Sequence, residues 1–263
     1  MTEDDLVEVQ SVHGPMLAFK DDFITRQILR FGAHTRTEIA FLASVVEPGD
    51  AVFDLGAHIG TYAIPLARKT GSEGMLLAVE ATQRTFSVLE RNLLGAGLGA
   101  KITAVNALIA RPGQSYKALT PEGNTGGTYY VMATEDADPV AVVTLDELCR
   151  RYFVPRVIKI DIEGGELSAF VESSVLQSVR PIVYAEINRK KLELQGASSA
   201  AMETLFRGAG YRLFQNIGER NATYDDFVVV ELGAFPTNKN NFDVLAIHSE
   251  DPRLDAFLSA EAL

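Results

Sequence analysis

Residues 50–60 read Asp-Ala-Val-Phe-Asp-Leu-Gly-Ala-His-Ile-Gly. Ala51–Leu55 is an apolar run too short for a helix and predicts a core strand. Glycines follow at Gly56 and Gly60, and from Thr61 to Arg68 apolar residues return at helical spacing, with Ile59, Tyr62, Ala63, Leu66 and Ala67. Strand, glycine turn and helix form the unit that brings a bare backbone up to a nucleotide-like ligand. Gly56 allows the tight turn, and its missing side chain is expected to let the ligand come close. The helix N-terminus offers unpaired N–H groups beside it.

Two ligand classes share this unit. The dinucleotide fingerprint is G-x-G-x-x-G, whereas this chain reads Asp54-x-Gly56-x-x-x-Gly60. His58 replaces the middle glycine that clears room for a pyrophosphate. Asp54, just ahead of the turn, is expected to repel a pyrophosphate and to suit a positive amine. S-adenosylmethionine has an α-ammonium, a sulfonium and no phosphate.

The next segments extend the pattern. Met75–Val79 is all apolar, as in a strand buried on both faces, and Glu80 ends it. Ligands of open α/β sheets lie beyond the carboxyl ends of the strands, so Glu80 is placed to accept from both ribose hydroxyls. A helix over Gln83–Leu94 and a strand over Lys101–Val105 follow. Asn106-Ala107 ends that strand, with Asn106 either bonding adenine or capping the next turn. Arg156–Glu166 is the second dense cluster: strand Val157–Ile160 despite Lys159, then Asp161, Glu163, the turn Gly164-Gly165, and Glu166 opening a helix. Carboxylates crowded at one strand end repel one another and call for a positive neighbour. The donor's cation, Lys159 or a metal could supply it, or Glu163 and Glu166 serve as helix N-terminal charges. Pro181–Ala185 is another strand, ending at Glu186.

Around this frame, Leu6–Ser11 and Met16–Phe19 flank the turn His13-Gly14-Pro15 as a hairpin. Helices are expected over Phe23–Phe31 and Glu38–Val46, so residues 1–46 read as a cap over the pocket, belonging to the same domain as residues 47–263. Tyr116–Leu119 and Gly126–Met132 read as an inserted antiparallel hairpin, with Gly126-Gly127 alternatively a loop near substrate. Val140–Thr144 reads as a strand and Leu145–Tyr152 as a helix. Ala197–Ala209 is a helix. Tyr211–Phe214, Phe227–Val230 and Val244–Ile247 are late strands, the first two an antiparallel pair at the sheet edge, and Leu254–Leu258 closes the chain as a helix.

Composition sets limits. A chain of 263 residues can bury a full core as one domain. A net charge of -11 argues against a nucleic-acid partner, since phosphate binding needs a basic surface. No run of about 18 apolar residues suggests a membrane span. The acidic N-terminus lacks the form of a signal peptide, so the cytoplasm is the expected location. Cys149 is the single cysteine, read as a core thiol, so no internal disulfide is expected.

These blocks, in this order, resemble the FkbM family of S-adenosylmethionine-dependent methyltransferases. The resemblance spans roughly Glu38 to Glu186. It rests on residues 52–60, on Ala78-Val79-Glu80, on Val143-Thr144-Leu145-Asp146, and most specifically on residues 158–166; Asn106-Ala107 also resembles the family's third strand end. It implies an α/β, Rossmann-like class I methyltransferase fold: a mostly parallel seven-stranded sheet with helices on both faces, plus the N-terminal cap and the inserted hairpin. It implies that Asp54, Gly56, Ala57, His58, Ile59, Gly60 and Thr61 form the donor loop. Glu80 would hold the ribose and Asp161 would lie near the amino-acid or methyl end, with Ala81, Asn106 and Ala107 as further candidate donor-binding residues. The chain departs from the family at Ala81, commonly proline, and at His58, commonly asparagine.

The implied reaction is in-line methyl transfer to a hydroxyl or carboxylate oxygen of a small molecule, a sugar or secondary metabolite. The donor is already activated, so the protein mainly aligns the reactants. A hydroxyl acceptor benefits from a base: Asp161, Glu186 or His34, with His248 a further histidine. Asp161, Glu163 and Glu186 are oxygen ligands of a kind magnesium accepts, although no metal site is assigned. The alternatives are an NAD-dependent oxidoreductase and a non-catalytic S-adenosylmethionine-binding module. A homodimer is compatible with the apolar edge strands.

Overall fold

The computed structural model describes residues 5–260; the outermost ends of the two spans read from sequence, and the first four residues of the acidic N-terminus, lie outside them. In chain order the strands and helices are β1 (Leu6–Ser11), β2 (Gly14–Phe19), α1 (Phe23–Phe31), α2 (Arg36–Ala43), β3 (Ala51–Leu55), α3 (Ala63–Thr70), β4 (Met75–Glu80), α4 (Gln83–Gly95) and β5 (Lys101–Asn106). Next come β6 (Leu108–Ile109), β7 (Tyr116–Leu119), β8 (Tyr129–Met132), β9 (Val142–Val143), α5 (Leu145–Arg151), β10 (Val157–Ile160), α6 (Glu166–Val171), α7 (Val175–Ser178) and β11 (Ile182–Asn188). The chain ends with α8 (Arg189–Leu194), α9 (Ser199–Gly208), β12 (Tyr211–Asn216), β13 (Val229–Glu231), β14 (Asn241–His248) and α10 (Arg253–Ala260).

The central sheet has eight strands in the order β13-β12-β14-β11-β10-β3-β4-β5. β11, β10, β3, β4 and β5 run parallel, while β14 lies antiparallel between β11 and β12. The eighth strand beyond the expected seven is the short edge piece β13, which pairs antiparallel with β12. The sequence placed these last strands but not their order, because β14 inserts itself between two elements that precede it. Val140–Thr144 supplies only β9, which pairs with β6 apart from the main sheet.

Alternation along the strands feeds two cores. Val52, Leu76, Val157 and Ile182 face one layer with α3 and α4, whereas Phe53, Leu77, Ile158 and Val183 face the other with α6 and α9. Helices therefore cover both faces. Local chemistry fixes their starts: Thr144 and Glu147 form a capping box at α5, and Asn188 and Ser198 cap α8 and α9. Cys149, on α5, is only half-buried.

The N-terminal block packs into the first core through Val9, Met16, Phe19 and Ile24. Asn92 on α4 clamps it there, accepting from Leu17 N–H at 2.7 Å and donating to the carbonyls of Leu17 and Ile59 at 2.9 and 2.8 Å. One side chain thus ties the β1–β2 hairpin to the glycine turn. Among the described residues, no helix is long and apolar enough to cross a membrane.

Candidate active site

From β3 the chain builds β4 and β5 on one side, then returns to lay β10 against the other side of β3. That reversal is the topological switch point, where the crevice beyond the strand ends receives ligands. A cavity of about 430 Å³ opens there. Gly56, His58 and Thr61 line it from the turn, Glu80 and Ala81 from β4, and Ala107 from the segment after β5. Asp161 and Glu186 line it from the ends of β10 and β11, and His34 from the cap.

Five residues placed in the donor site by sequence do not line the cavity. Ala57, Ile59 and Gly60 point into the core or the turn itself, with Ala57 and Ile59 buried in the first core. Asn106 donates its amide Nδ2 to the carbonyls of Glu80 and Ala81, at 2.9 and 3.0 Å, tying the end of β5 back to the turn after β4 rather than capping the turn that follows it. Asp54 also stays outside. It is fully buried one position before the end of β3, where Lys159 is its register partner on β10 and pairs with it at 3.2 Å. The expectation that Asp54 meets the ligand's amine is therefore corrected: its counter-charge is a lysine of the neighbouring strand.

Gly56 has a second constraint. Its φ is +78°, and a Cβ there would lie 1.8 Å from the carbonyl oxygen of Asp161. The missing side chain makes room for the end of β10, and Gly56 also lines the cavity. Lys159 Nζ donates to the Gly56 carbonyl at 2.8 Å and lies 5.2 Å from the centre of the Tyr62 ring. The turn, β10 and the start of the next helix are thereby locked together.

The next row of the sheet is acidic. Asp161 lies two positions beyond Lys159, Glu186 two beyond Tyr184, and Glu186 faces Asp243 across the β11–β14 register. Arg220 bridges this row, 3.3 Å from Glu186 and 2.7 Å from Asp243. Burial, the Glu186 charge and Glu163 push the Asp161 carboxyl well above the usual range, with Lys159 opposing. Burial alone would raise Glu186 too, but Arg220 and a hydrogen bond from Asp161 bring it below its ordinary value. Glu163, at a φ of 57° and paired with Lys191 at 3.3 Å, is raised to about 7 by burial and Glu186. Glu166 does not face the cavity. It is buried and accepts the N–H groups of Ile162 and Gly164, so it holds the turn after β10.

His34 bonds Gln27 through Nδ1 at 2.8 Å. Burial and the nearby Arg220 drive its imidazole down to about 3, which makes it a feeble proton acceptor. His248 ends β14 beside the start of β11, at the opposite end of the strands from the cavity, packed on Tyr211. Among the described residues, no group of three or more His, Cys, Asp or Glu converges as a metal site. Lys159 pairs with Asp54, Arg220 with Glu186 and Asp243, and Lys191 with Glu163.

Glu80 is the other carboxylate in the cavity. Its Oε2 accepts from His58 N–H at 3.0 Å and its Oε1 from Thr82 N–H at 2.9 Å, and burial raises its pKa. His58, at a φ of 51°, reaches Thr125 Oγ1 with Nε2 at 2.8 Å. Thr125 belongs to the turn between the inserted strands β7 and β8, and it donates from N–H and Oγ1 to Asp22 at 2.7 and 3.0 Å. Asp22 in turn caps α1 by accepting from Ile24 N–H at 2.9 Å. One chain of contacts therefore joins turn, hairpin and cap, and Gly126-Gly127, expected to open the second strand or to form a loop, lie in the turn before β8 and line the cavity. Asp22→Ala is expected to cost about 1–2 kcal/mol as a lost helix cap. It should also speed amide exchange at Thr125; unchanged exchange there would show that the contact does not hold the hairpin.

Sequence reasoning missed Thr125, Tyr62, Lys191 and Arg220. Tyr62 reads as one more apolar helical residue, yet it lines the cavity and bonds Thr35 through its hydroxyl at 2.9 Å. The others lie on loops or helices far along the chain, where no local pattern marks them.

A mostly parallel sheet with a switch point, helices on both faces, a glycine turn after the first core strand and carboxylates at successive strand ends define a Rossmann-like α/β fold. The methyltransferase FkbM domain matches residues 54–213, more than half of the chain, and the protein belongs to that family. No match was found among curated proteins. Solved structures of similar fold include an S-adenosylmethionine-dependent O-methyltransferase of Thermotoga maritima, at 10% identity and TM-score 0.44, over 93% of this chain and 78% of that one. Another is an S-adenosylmethionine-dependent methyltransferase of Aquifex aeolicus, at 12% identity and TM-score 0.44, over 81% and 90%. A third is the precorrin 8w decarboxylase of Methanobacterium thermoautotrophicum, at 15% identity and TM-score 0.44, over 81% and 88%.

Proposed function

We propose that the protein uses S-adenosylmethionine to methylate an oxygen, most simply a hydroxyl, of a small molecule. The observation that carries this reading is the pairing, in one cavity, of Glu80 at the end of β4 with Asp161 and Glu186 at the ends of β10 and β11. Asp161 Oδ1 is buried without a hydrogen-bond partner among the described residues, and each Glu80 carboxylate oxygen accepts one backbone N–H, from His58 or Thr82, leaving lone pairs free. An unpartnered carboxyl fits a cation, and a two-oxygen acceptor fits a pair of ribose hydroxyls. The argument against a dinucleotide passes from Asp54 to these carboxylates, which face the cavity and would repel a pyrophosphate.

The bound donor supplies an electrophilic methyl group on a sulfonium. Glu80 and the turn orient the nucleoside end, and Asp161 holds the positive end. Glu186, kept ionised by Arg220, receives the hydroxyl proton of the acceptor. The cap residues Phe23, Ile24 and His34, with the hairpin turn, cover the cavity and exclude water. His34 serves here as a neutral hydrogen-bonding wall group, not the base.

Calorimetric titration with S-adenosylmethionine, S-adenosylhomocysteine and NAD tests the cofactor. Binding of the first two alone supports the reading; binding of NAD alone replaces it with an oxidoreductase. Product analysis with hydroxylated and carboxylated small molecules then separates an O-methyltransferase from a module that binds without turnover. Glu80→Ala is expected to weaken donor binding about 10–100-fold, the worth of hydrogen bonds to a charged group. Unchanged affinity, with an unchanged melting curve, would remove Glu80 from the donor site.

A further inference from the structure

We propose that entry of the cationic donor drives a proton out of the Asp161–Glu186 carboxyl pair, so that the proton acceptor becomes available only when the donor is in place. This rests on the proposed donor reading and adds an order to it.

The geometry starts from the strand register. Ile160 pairs with Ala185 on parallel strands, so the next residues, Asp161 and Glu186, stand side by side at the cavity floor. The two carboxyls are close enough to shift each other's titration, and neighbouring carboxylates resist ionising together, so one of the two holds a proton.

The cations around them are already engaged. Arg220 is divided between Glu186 and Asp243, at 3.3 and 2.7 Å. Lys159 is tied to Asp54 at 3.2 Å and to the Gly56 carbonyl at 2.8 Å, and Lys191 to Glu163 at 3.3 Å. Among the described residues Asp161 has no ion-pair partner within bonding distance, and its Oδ1 has no hydrogen-bond partner. The remaining groups facing the pair add no free positive charge. Glu163 on the turn after β10 and Asp243 on β14 are acidic, Glu38 on α2 is a carboxyl that burial raises, and His34 of the cap is neutral. The proton on Asp161 therefore stands where a cation is missing.

The step balances simply. In the free protein Asp161 is the acid and Glu186 the carboxylate that accepts its hydrogen bond. When a cation reaches Asp161, the O–H bond breaks, the proton leaves to solvent, and Asp161 stays as the donor's counter-ion. Glu186 loses its hydrogen bond from Asp161 and has a lone pair for the acceptor's hydroxyl. An acceptor arriving first meets a Glu186 that is already occupied.

The test needs no acceptor. S-adenosylmethionine binding is measured by calorimetry near neutral pH in phosphate and in Tris, whose ionisation enthalpies differ; about one proton is expected to leave per donor bound. Asp161→Asn should abolish the release. Glu163→Gln should preserve it, which matters because Glu163 titrates near neutrality and could release a proton itself. In the wild-type protein, difference infrared spectra should lose a carboxylic-acid carbonyl band on donor binding, a readout that does not depend on either variant folding. Donor binding with no proton release and no band loss overturns the proposal, as does release lost in Glu163→Gln but retained in Asp161→Asn. Absence of any donor binding overturns the methyl-donor reading itself, and this inference with it.

Discussion

Gly56→Ala is expected to cost the fold about 3–5 kcal/mol and to abolish donor binding. Two effects add. The backbone at Gly56 has a φ of +78°, a conformation that strains any residue with a Cβ. The added carbon would lie 1.8 Å from the Asp161 carbonyl oxygen, which is fixed because Asp161 N–H donates to the Leu55 carbonyl at 3.0 Å. Neither backbone can yield without parting β3 from β10. Two other glycines separate these effects. Gly49, at a φ of +88°, has nothing within 4 Å of a built Cβ, so Gly49→Ala carries the strain alone, about 1–2 kcal/mol. At Gly60 the nearest atom, 3.2 Å away, is the end of the Leu89 side chain, which can turn aside. Urea unfolding of the three variants should therefore rank the losses with Gly49 smallest and Gly56 largest. A Gly56→Ala loss no greater than that of Gly49→Ala would mean that the strand end moves freely, and the locked floor of the cavity would have to be abandoned.

Legibility followed distance along the chain. Strands β3, β4 and β10 were readable because each is a short apolar run bounded by turn residues. The carboxylates at their ends, Glu80 and Asp161, were readable because the fold class says where strand ends lead. Asp54 was misread through its neighbours: adjacency to the glycine turn suggested a ligand, while alternation with Phe53 and Leu55 already turned it to the opposite face of the strand. Lys159 looked like a flaw in an apolar strand, and its meaning depended on a register with β3 more than a hundred residues earlier. Arg220 and Thr125 were invisible for the same reason. Each acts across a long sequence separation, from a loop whose local composition is ordinary. Burying a charge inside a strand breaks a local rule, and such violations gather where a site is built. Lys159 was the mark of the site even though its partner could not be named.

Lys159→Met should destabilise the protein by about 3–5 kcal/mol, because it leaves the Asp54 carboxyl fully buried without its partner, so that it must fold unpaired or bind a proton. The loss should depend on pH in a defined direction. Burial raises the folded-state pKa of Asp54, and Lys159 is what draws it back down. Without the lysine, the folded value stands far above the unfolded one, near 3.9. Below the unfolded value both states are protonated and the variant's deficit is least. As pH rises through the gap, the unfolded state ionises and the folded state does not, so the deficit grows. Denaturation of wild type and variant from acid to neutral pH reads this as a widening difference; a constant difference would mean that lost packing, not an orphaned charge, is the cause. Adding Asp54→Leu to Lys159→Met should recover most of the stability, since replacing both members of a buried pair is often neutral. It should not recover donor binding. Lys159 also anchors the Gly56 carbonyl and lies over Tyr62, so the stable double variant keeps the sheet while releasing the turn. A double variant that regained both stability and affinity would reduce the pair to one more way of filling the core. Regained stability without affinity would show why a lysine is kept in a strand where a hydrophobic residue serves the fold equally well.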